Sequence, residues 1–532
     1  MKKLAILLAL MLCLTSVGSS FADVVVSGNN EYPIVSEPVT LSVWAPESSD
    51  APDISTNSMT VLYEKMTGVH VEWTIVPVAE ATTKFNLEIA GGRYHDVYAG
   101  LALTTDQVLM CMEGGVLIPL NPYIETSAPN FAAALNENPE FVDYLTTPDG
   151  NIYTMFNTDV GVHMLSQNKM FVYGDWYDIY KDQAGGEVKT TDDFKNMLLF
   201  FRDNDMNGNG IKDEVPLMSS YPAATSDPLG YLMNPFQLYN SNFFVISDDK
   251  HINFIANTDG WKEGLKYIHD LYGEGLIAEQ TYVQDATQLK ATVDAADNQI
   301  VGAVPSFWQG VFTSRWTSYV PIEPLEGPAG LKQAGALSGA TFTTRAAISS
   351  QCKTPEVAVK WLDYWLSYDG TFDHTWGMDE GVDYELVDTE SFAGTTPSVL
   401  RLQGMGDGGT VVNYRWGANY MPKYDRYDIR YAAVKDEANF NTNNTFVLTE
   451  AAKLYEPYYV SHNIPQIVWN SDVDLATEIA EMRTMLNAYI LSSATEFVMG
   501  VRDIDAEWDA YLAQLDAMGL PEYLKLLERF YQ

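Results

Sequence analysis

The alternation of apolar and polar positions begins at VTLSVWAP, where Val39, Leu41 and Val43 take every second place. That period predicts a strand ending near Trp44. NSMTVLYEKMTG has helical spacing and stops at Gly68, a residue suited to a helix end. HVEWTIV then reads as a second strand, TTKFNLEIAGG as a helix ending in glycines, and HDVYAGL as a third strand. Strand, helix, strand, helix, strand is the order of a parallel sheet with right-handed crossovers. Beyond about residue 160 the period lengthens. TTDDFKNMLLFFRD carries a Thr190 cap signal, and DGWKEGLKYIHDLYGEGLI sets Leu265, Ile268, Leu271 and Tyr272 on one face. QIVGAVPSFW predicts a strand, PLEGPAG a Pro/Gly crossing, PEVAVKWLDYWLS an amphipathic helix, and the last fifty residues are almost wholly helical.

Composition narrows the class. At 532 residues with 46% hydrophobic content, the chain can bury more than one core, so two to four domains or lobes are expected. Residues 1–22 read as a secretory leader: Lys2 and Lys3, an apolar run from Leu4 to Leu14, and Ser20-Phe21-Ala22 before Asp23. The run is too short to span a bilayer, which predicts an exported, soluble protein. A formal net charge of −40 argues against nucleic acid and anionic membrane as partners. It also disfavours polyanionic ligands, unless a local basic patch overrides the mean field. Past the leader, Cys111 and Cys352 remain; buried thiols are the default and a disulfide the alternative.

DNDMNGNGIKDE, residues 203–214, has almost no apolar content and so adds nothing to a core. Side-chain oxygens fall at alternate positions from Asp205 through Asn207 and Asn209. Gly210 follows, Ile211 can offer its carbonyl, and Asp213 and Glu214 can close the shell. This is the first three-quarters of an EF-hand loop, with the closing acid at position ten instead of twelve. A solvated turn is the plainer reading, since Asn, Asp and Gly favour turns for their own reasons.

Taken together, YPIVSEPVTLSVW, YEKMTGVHVEW, GGVLIPLNPYI with TPDGNIYTMF, DMNGNGIKDEVPL, LKYIHDLYGEGLI, PLEGPAG, CKTPEVAVKWLDYWLS, WGMDEGVDYE and the terminal FVMG with EWDAYLAQLDAMGLPEYL resemble, in number and order, the extracellular solute-binding proteins of sugar-type ABC importers. The similarity is to the large lipoprotein-like branch serving complex oligosaccharides. It implies a two-lobed α/β fold of the periplasmic-binding-protein type (type II), with hinge crossings and a helical C-terminal region. The expected division is 23–160 with 300–345 in lobe 1, and 161–299 with 346–532 in lobe 2. It also implies a structural calcium ion at 205–214 held by Asp205, Asn207, Asn209, Ile211, Asp213 and Glu214, permease subunits as partners, and no catalysis. A monomer is expected. The leader lacks the lipobox usual in Gram-positive members, so how the protein stays at the cell surface is left open.

Sugars offer apolar C–H faces ringed by hydroxyls, so their sites combine aromatic platforms with short polar groups. An open α/β sheet places such sites at the carboxyl ends of its strands. Trp308, after a strand end and Pro305, stands where the resemblance implies a stacking tryptophan. Trp416 with Tyr414 and Arg415 lies in the turn-prone NYRWGANY, Trp44 ends the first strand, and Tyr153 sits in the TPDGNIY hairpin. Trp361, Trp365 and Trp508 fall in amphipathic helices and read as packing. Two other classes compete with the importer reading. A secreted carbohydrate-active enzyme would need two carboxylates ~5–10 Å apart, and no GxSxG, HExxH or P-loop occurs. A calcium-stabilised glycan-binding surface protein is the other.

Overall fold

The computed structural model describes residues 25–531, apart from 49–50, 167, 222–225, 296–298, 337–340, 404–412, 418–419, 436–443 and 470–471. The leader expected at 1–22 lies outside the described residues.

The first five elements follow the hydrophobic pattern. Strand Val39–Pro46 leads to helix Ser58–Thr67, strand Val69–Val76, helix Ala81–Gly91 and strand Val97–Ala99. Gly68 ends the first helix at φ 73, a left-handed conformation that costs a glycine nothing. These strands join a five-stranded sheet in the order Val69–Val76, Val39–Pro46, Val97–Ala99, Thr341–Ile348, Thr154–Asp159. The first three run parallel; Thr341–Ile348 is antiparallel to both its neighbours. A second, four-stranded sheet orders Tyr319–Ile322, Lys169–Tyr173, Val301–Ser306 and Val215–Leu217. The result is a two-lobed α/β fold.

The division between lobes differs from the expected one at three places. Val301–Ser306 pairs with Lys169–Tyr173 and Val215–Leu217, so QIVGAVPSFW belongs to the second sheet and not the first. The return to the first sheet comes later, at Thr341. Helix Pro355–Asp363 buries Trp361 in the first lobe's core beside Tyr63 and Trp73, together with Trp365, Trp416 and Tyr420. The segment after 346 is therefore shared. Its middle packs on lobe 1, and the helices Val473–Val498, Ile504–Ala517 and Leu520–Phe530 pack on lobe 2. Strand period is local, whereas the choice of sheet is a long-range pairing that the period does not encode.

Two crossings travel side by side. Ala334–Ala336 leaves lobe 2 for lobe 1 and pairs in parallel with Tyr459–Ser461, which makes the same passage. Cys111 and Cys352 are free thiols, one buried and one half-buried, and burial pushes both up to about 11. No helix among the described residues is long and apolar enough to cross a membrane.

Candidate functional site

The chain leaves the first sheet at Asp159 and enters the second at Lys169, which fixes the facing ends. In lobe 1 the carboxyl ends of the parallel strands, at Pro46, Ala99 and Asp159, point toward lobe 2. In lobe 2, Ser306 pairs with Lys169, so the carboxyl end of Val301–Ser306 points back toward lobe 1. The loops after these ends bound the cleft between the lobes, where open α/β sheets place ligands.

Trp308 lies just past that end of Val301–Ser306. It is part-exposed, although its indole Nε1 is buried and has no hydrogen-bond partner. Its ring covers Gly310, where a Cβ would fall 2.3 Å from Trp308 Cη2, so a side chain there would displace the ring. Ser306 Oγ donates to the Trp308 carbonyl at 3.0 Å. A part-exposed aromatic ring at a cleft edge suits a ligand with apolar C–H faces.

The other aromatic candidates are placed differently. Trp44 is 1% exposed and packs against Phe85 and Tyr98 inside lobe 1. Trp416 is also 1% exposed; its Nε1 donates to Thr60 Oγ1 at 2.7 Å, and Trp365 lies against it at 4.9 Å. Tyr153 precedes the strand Thr154–Asp159, which puts it at the end of the sheet away from lobe 2, and its hydroxyl donates to Asp149. These three side chains are packing residues with no face open to the cleft. Tyr414 and Arg415 are buried beside the start of helix Ser58–Thr67, at the lobe-2-facing end of the sheet. Met59 N donates to the Tyr414 carbonyl, and Arg401 donates to the Tyr414 hydroxyl.

Sequence reasoning passed over the charged groups at this end. Lys423 and Asp425 run alongside Thr154–Asp159, with Lys423 N donating to Phe156 O and Thr158 N to Lys423 O. Lys423 Nζ lies 3.6 Å from Asp425 Oδ2, with both side chains buried. Arg430 reaches Asp159 at 3.2 Å and Asp425 at 3.7 Å. Arg345, in the strand Thr341–Ile348, donates from Nη1 to Gly100 O and from Nη2 to Thr343 Oγ1, both at 3.0 Å. His374 is buried among these cations. Burial first, then Lys423, Arg415 and Arg345, push it well below its ordinary value. The signal available was a lone arginine in TTRAAI, an otherwise uncharged strand.

The acidic loop 205–214 sits on lobe 2, between helix Thr191–Asp203 and strand Val215–Leu217. Asp205 accepts from Asn209 N at 3.1 Å and Gly210 N at 2.8 Å; Glu214 Oε1 accepts from Met206 N and Asn207 N. Gly210 turns the chain at φ 86. The side-chain amides of Asn207 and Asn209 donate to Asp213. Among the described residues no group of three or more His, Cys, Asp or Glu is placed to hold a metal. The expected donor set, however, draws half its oxygens from Asn207, Asn209 and the Ile211 carbonyl. Glu214 is 9% exposed, and its Oε2 is buried without a partner. An orphaned carboxylate oxygen in an all-oxygen loop fits a hard cation.

No family model matches the chain. It is 27% identical over 487 residues to the fructooligosaccharide ABC transporter substrate-binding protein FusA of Streptococcus pneumoniae, covering 88% of this chain and 85% of that protein. The solved structure of an EF-hand mutant of FusA with fructo-nystose superposes with a TM-score of 0.74 at 25% identity, over 92% of this chain and 98% of that one. A solute-binding protein from Bifidobacterium longum infantis shares the fold with a TM-score of 0.76 at 19% identity, over 93% of this chain and 99% of its own.

Proposed function

We propose that this chain is a solute-binding protein of a carbohydrate ABC importer, which captures an oligosaccharide between its lobes outside the cell and presents it to permease subunits. The near-full-length likeness to FusA carries this reading. The facing strand ends and the part-exposed ring of Trp308 at one of them support it. Trp308 forms the aromatic platform on lobe 2, while Tyr414 and Arg415 stay near the cleft as supports of its lobe 1 wall. Capture requires no bond to break, so the ligand leaves as it arrived. Calcium at 205–214 would be held by Asp205, Asn207, Asn209, Asp213, Glu214 and the Ile211 carbonyl. Rotating the amides of Asn207 and Asn209 exchanges N for O and turns acceptors inward. The ion would tie the loop to lobe 2 and take no part in ligand chemistry.

The test is a thermal-shift and calorimetric screen in calcium buffer, starting with kestose, nystose and longer fructans and widening to other oligosaccharides. A saturable rise in melting temperature with recovery of intact ligand is expected. Steady release of shortened sugar would overturn the reading in favour of a carbohydrate-active enzyme.

A further inference from the structure

Arg345 stands out in a chain with 71 acidic and 31 basic residues, where a half-buried guanidinium is expected to find a carboxylate. Its neighbours in the cluster do so: Lys423 has Asp425, and Arg430 has Asp159 and Asp425. Among the described residues Arg345 has no acidic side chain within ion-pair distance. Its hydrogen bonds go to two neutral oxygens, Gly100 O and Thr343 Oγ1. A guanidinium carries five N–H donors. Nε is buried without a partner, and Nη1 and Nη2 each make one of these bonds, which leaves a second N–H on each.

Placement matters as much as the missing partner. Ala346 pairs with Ala99 and Ile348 with Val97, which sets Arg345 opposite Gly100, one step past the carboxyl end of Val97–Ala99. The register against Thr154–Asp159 shifts between Thr344 and Ala346, leaving Arg345 as the extra residue of a bulge. Bulges re-aim a side chain. Gly100, at φ 72, has Pro46 and Tyr420 O close to where a Cβ would stand. Arg345 is therefore held at the lobe-2-facing end of the first sheet, as Trp308 stands at the lobe-1-facing end of the second.

We propose that Arg345 is the lobe 1 grip on the ligand, its guanidinium fork closing on two adjacent acceptor oxygens of the glycan. Those oxygens are either the two of a sugar carboxylate or two neighbouring hydroxyls. Both present acceptors at a spacing the planar fork matches and a lysine ammonium does not. The proposal rests on the oligosaccharide-binding reading above and adds the residue and the geometry that decide which sugars bind.

Labelled protein on an array of neutral, uronate-bearing and sulfated oligosaccharides identifies the best glycan. Calorimetry then compares wild type, Arg345→Lys and Arg345→Gln on that glycan, with melting of each ligand-free protein alongside. Both variants are expected to lose affinity about tenfold or more while the ligand-free melting temperatures stay close to wild type. If the oxygens are a carboxylate, wild-type affinity also falls with added salt and on carboxyl reduction of the sugar; if hydroxyls, it does neither. Unchanged affinity in both variants, or wild-type affinity in Arg345→Lys, overturns the grip. No binding to any oligosaccharide on the array overturns the reading beneath it instead.

Discussion

Replacing Lys423 with methionine tests whether the buried charges beside the first crossing hold the fold together. The Lys423 side chain is 3% exposed and that of Asp425 0%, with 3.6 Å between Nζ and Oδ2. Burial lowers the lysine's pKa against the pull of Asp425. Methionine fills similar volume, so the cost comes mainly from Asp425, which is left with Val160 N–H at 3.2 Å and Arg430 at 3.7 Å. Arg430 is already shared with Asp159. Breaking a buried pair from one side costs about 3–5 kcal/mol, and the remaining arginine sets the lower end, about 3. For a lobe-sized folding unit that is a fall of roughly 6–12 °C in melting temperature. Differential scanning calorimetry of wild type, Lys423→Met, Asp425→Asn and the double variant forms a cycle. The double variant should recover at least half the loss, because no charge is then stranded. A Lys423→Met protein melting within about 2 °C of wild type, or a double variant as unstable as the sum of the singles, would refute the reasoning.

Trp308→Ala should cut oligosaccharide affinity roughly tenfold, about 1–2 kcal/mol of lost stacking, and leave the ligand-free fold intact. Trp416→Ala, by contrast, should cost about 3–5 kcal/mol of stability measured by denaturant titration, because that ring is core. Chelating calcium should lower the melting temperature and added calcium restore it, by about 2.7 kcal/mol at a hundredfold excess over Kd. Glu214→Gln should abolish that response; melting curves identical in calcium and in chelator would leave the loop a turn. Burial holds Lys169 near 7 against 10.5 unfolded, so between those values the native state binds fewer protons than the unfolded chain. Stability should therefore rise with pH from 7 to 9, by up to about 1.4 kcal/mol per unit for this group. Lys169→Met should flatten that slope in urea titrations.

What the sequence makes legible is what neighbouring residues decide. Thr190 caps its helix through Asp193 in a capping box, and Thr258 caps the helix Asp259–Gly273; both helices follow from local period and cap chemistry. What it hides is decided by residues far away along the chain. NYRWGANY looks like a polar loop because Trp416 finds Thr60 and Tyr63 only after some 350 residues of separation are closed, and Trp365 after some 50. Trp44 at a strand end satisfied the rule for cleft residues. A helix packed over it, carrying Phe85, turns the same position into core. Arg345 is a lone charge in TTRAAI, and the bulge that sets its position depends on pairing with a strand nearly two hundred residues earlier.

The parallel pair formed by Ala334–Ala336 and Tyr459–Ser461 has a mechanical consequence. Two strands hydrogen-bonded edge to edge make a ribbon that is compliant out of its plane and stiff within it. Sliding one strand along the other would break the ladder, whereas flexing both together breaks nothing. Such a ribbon would favour lobe motion about a single axis, like a leaf spring clamped at both ends. A ligand between Trp308 and Arg345 would then meet the same closing stroke at each encounter, and sugars too thick for that stroke would be rejected by geometry before any hydrogen bond is compared.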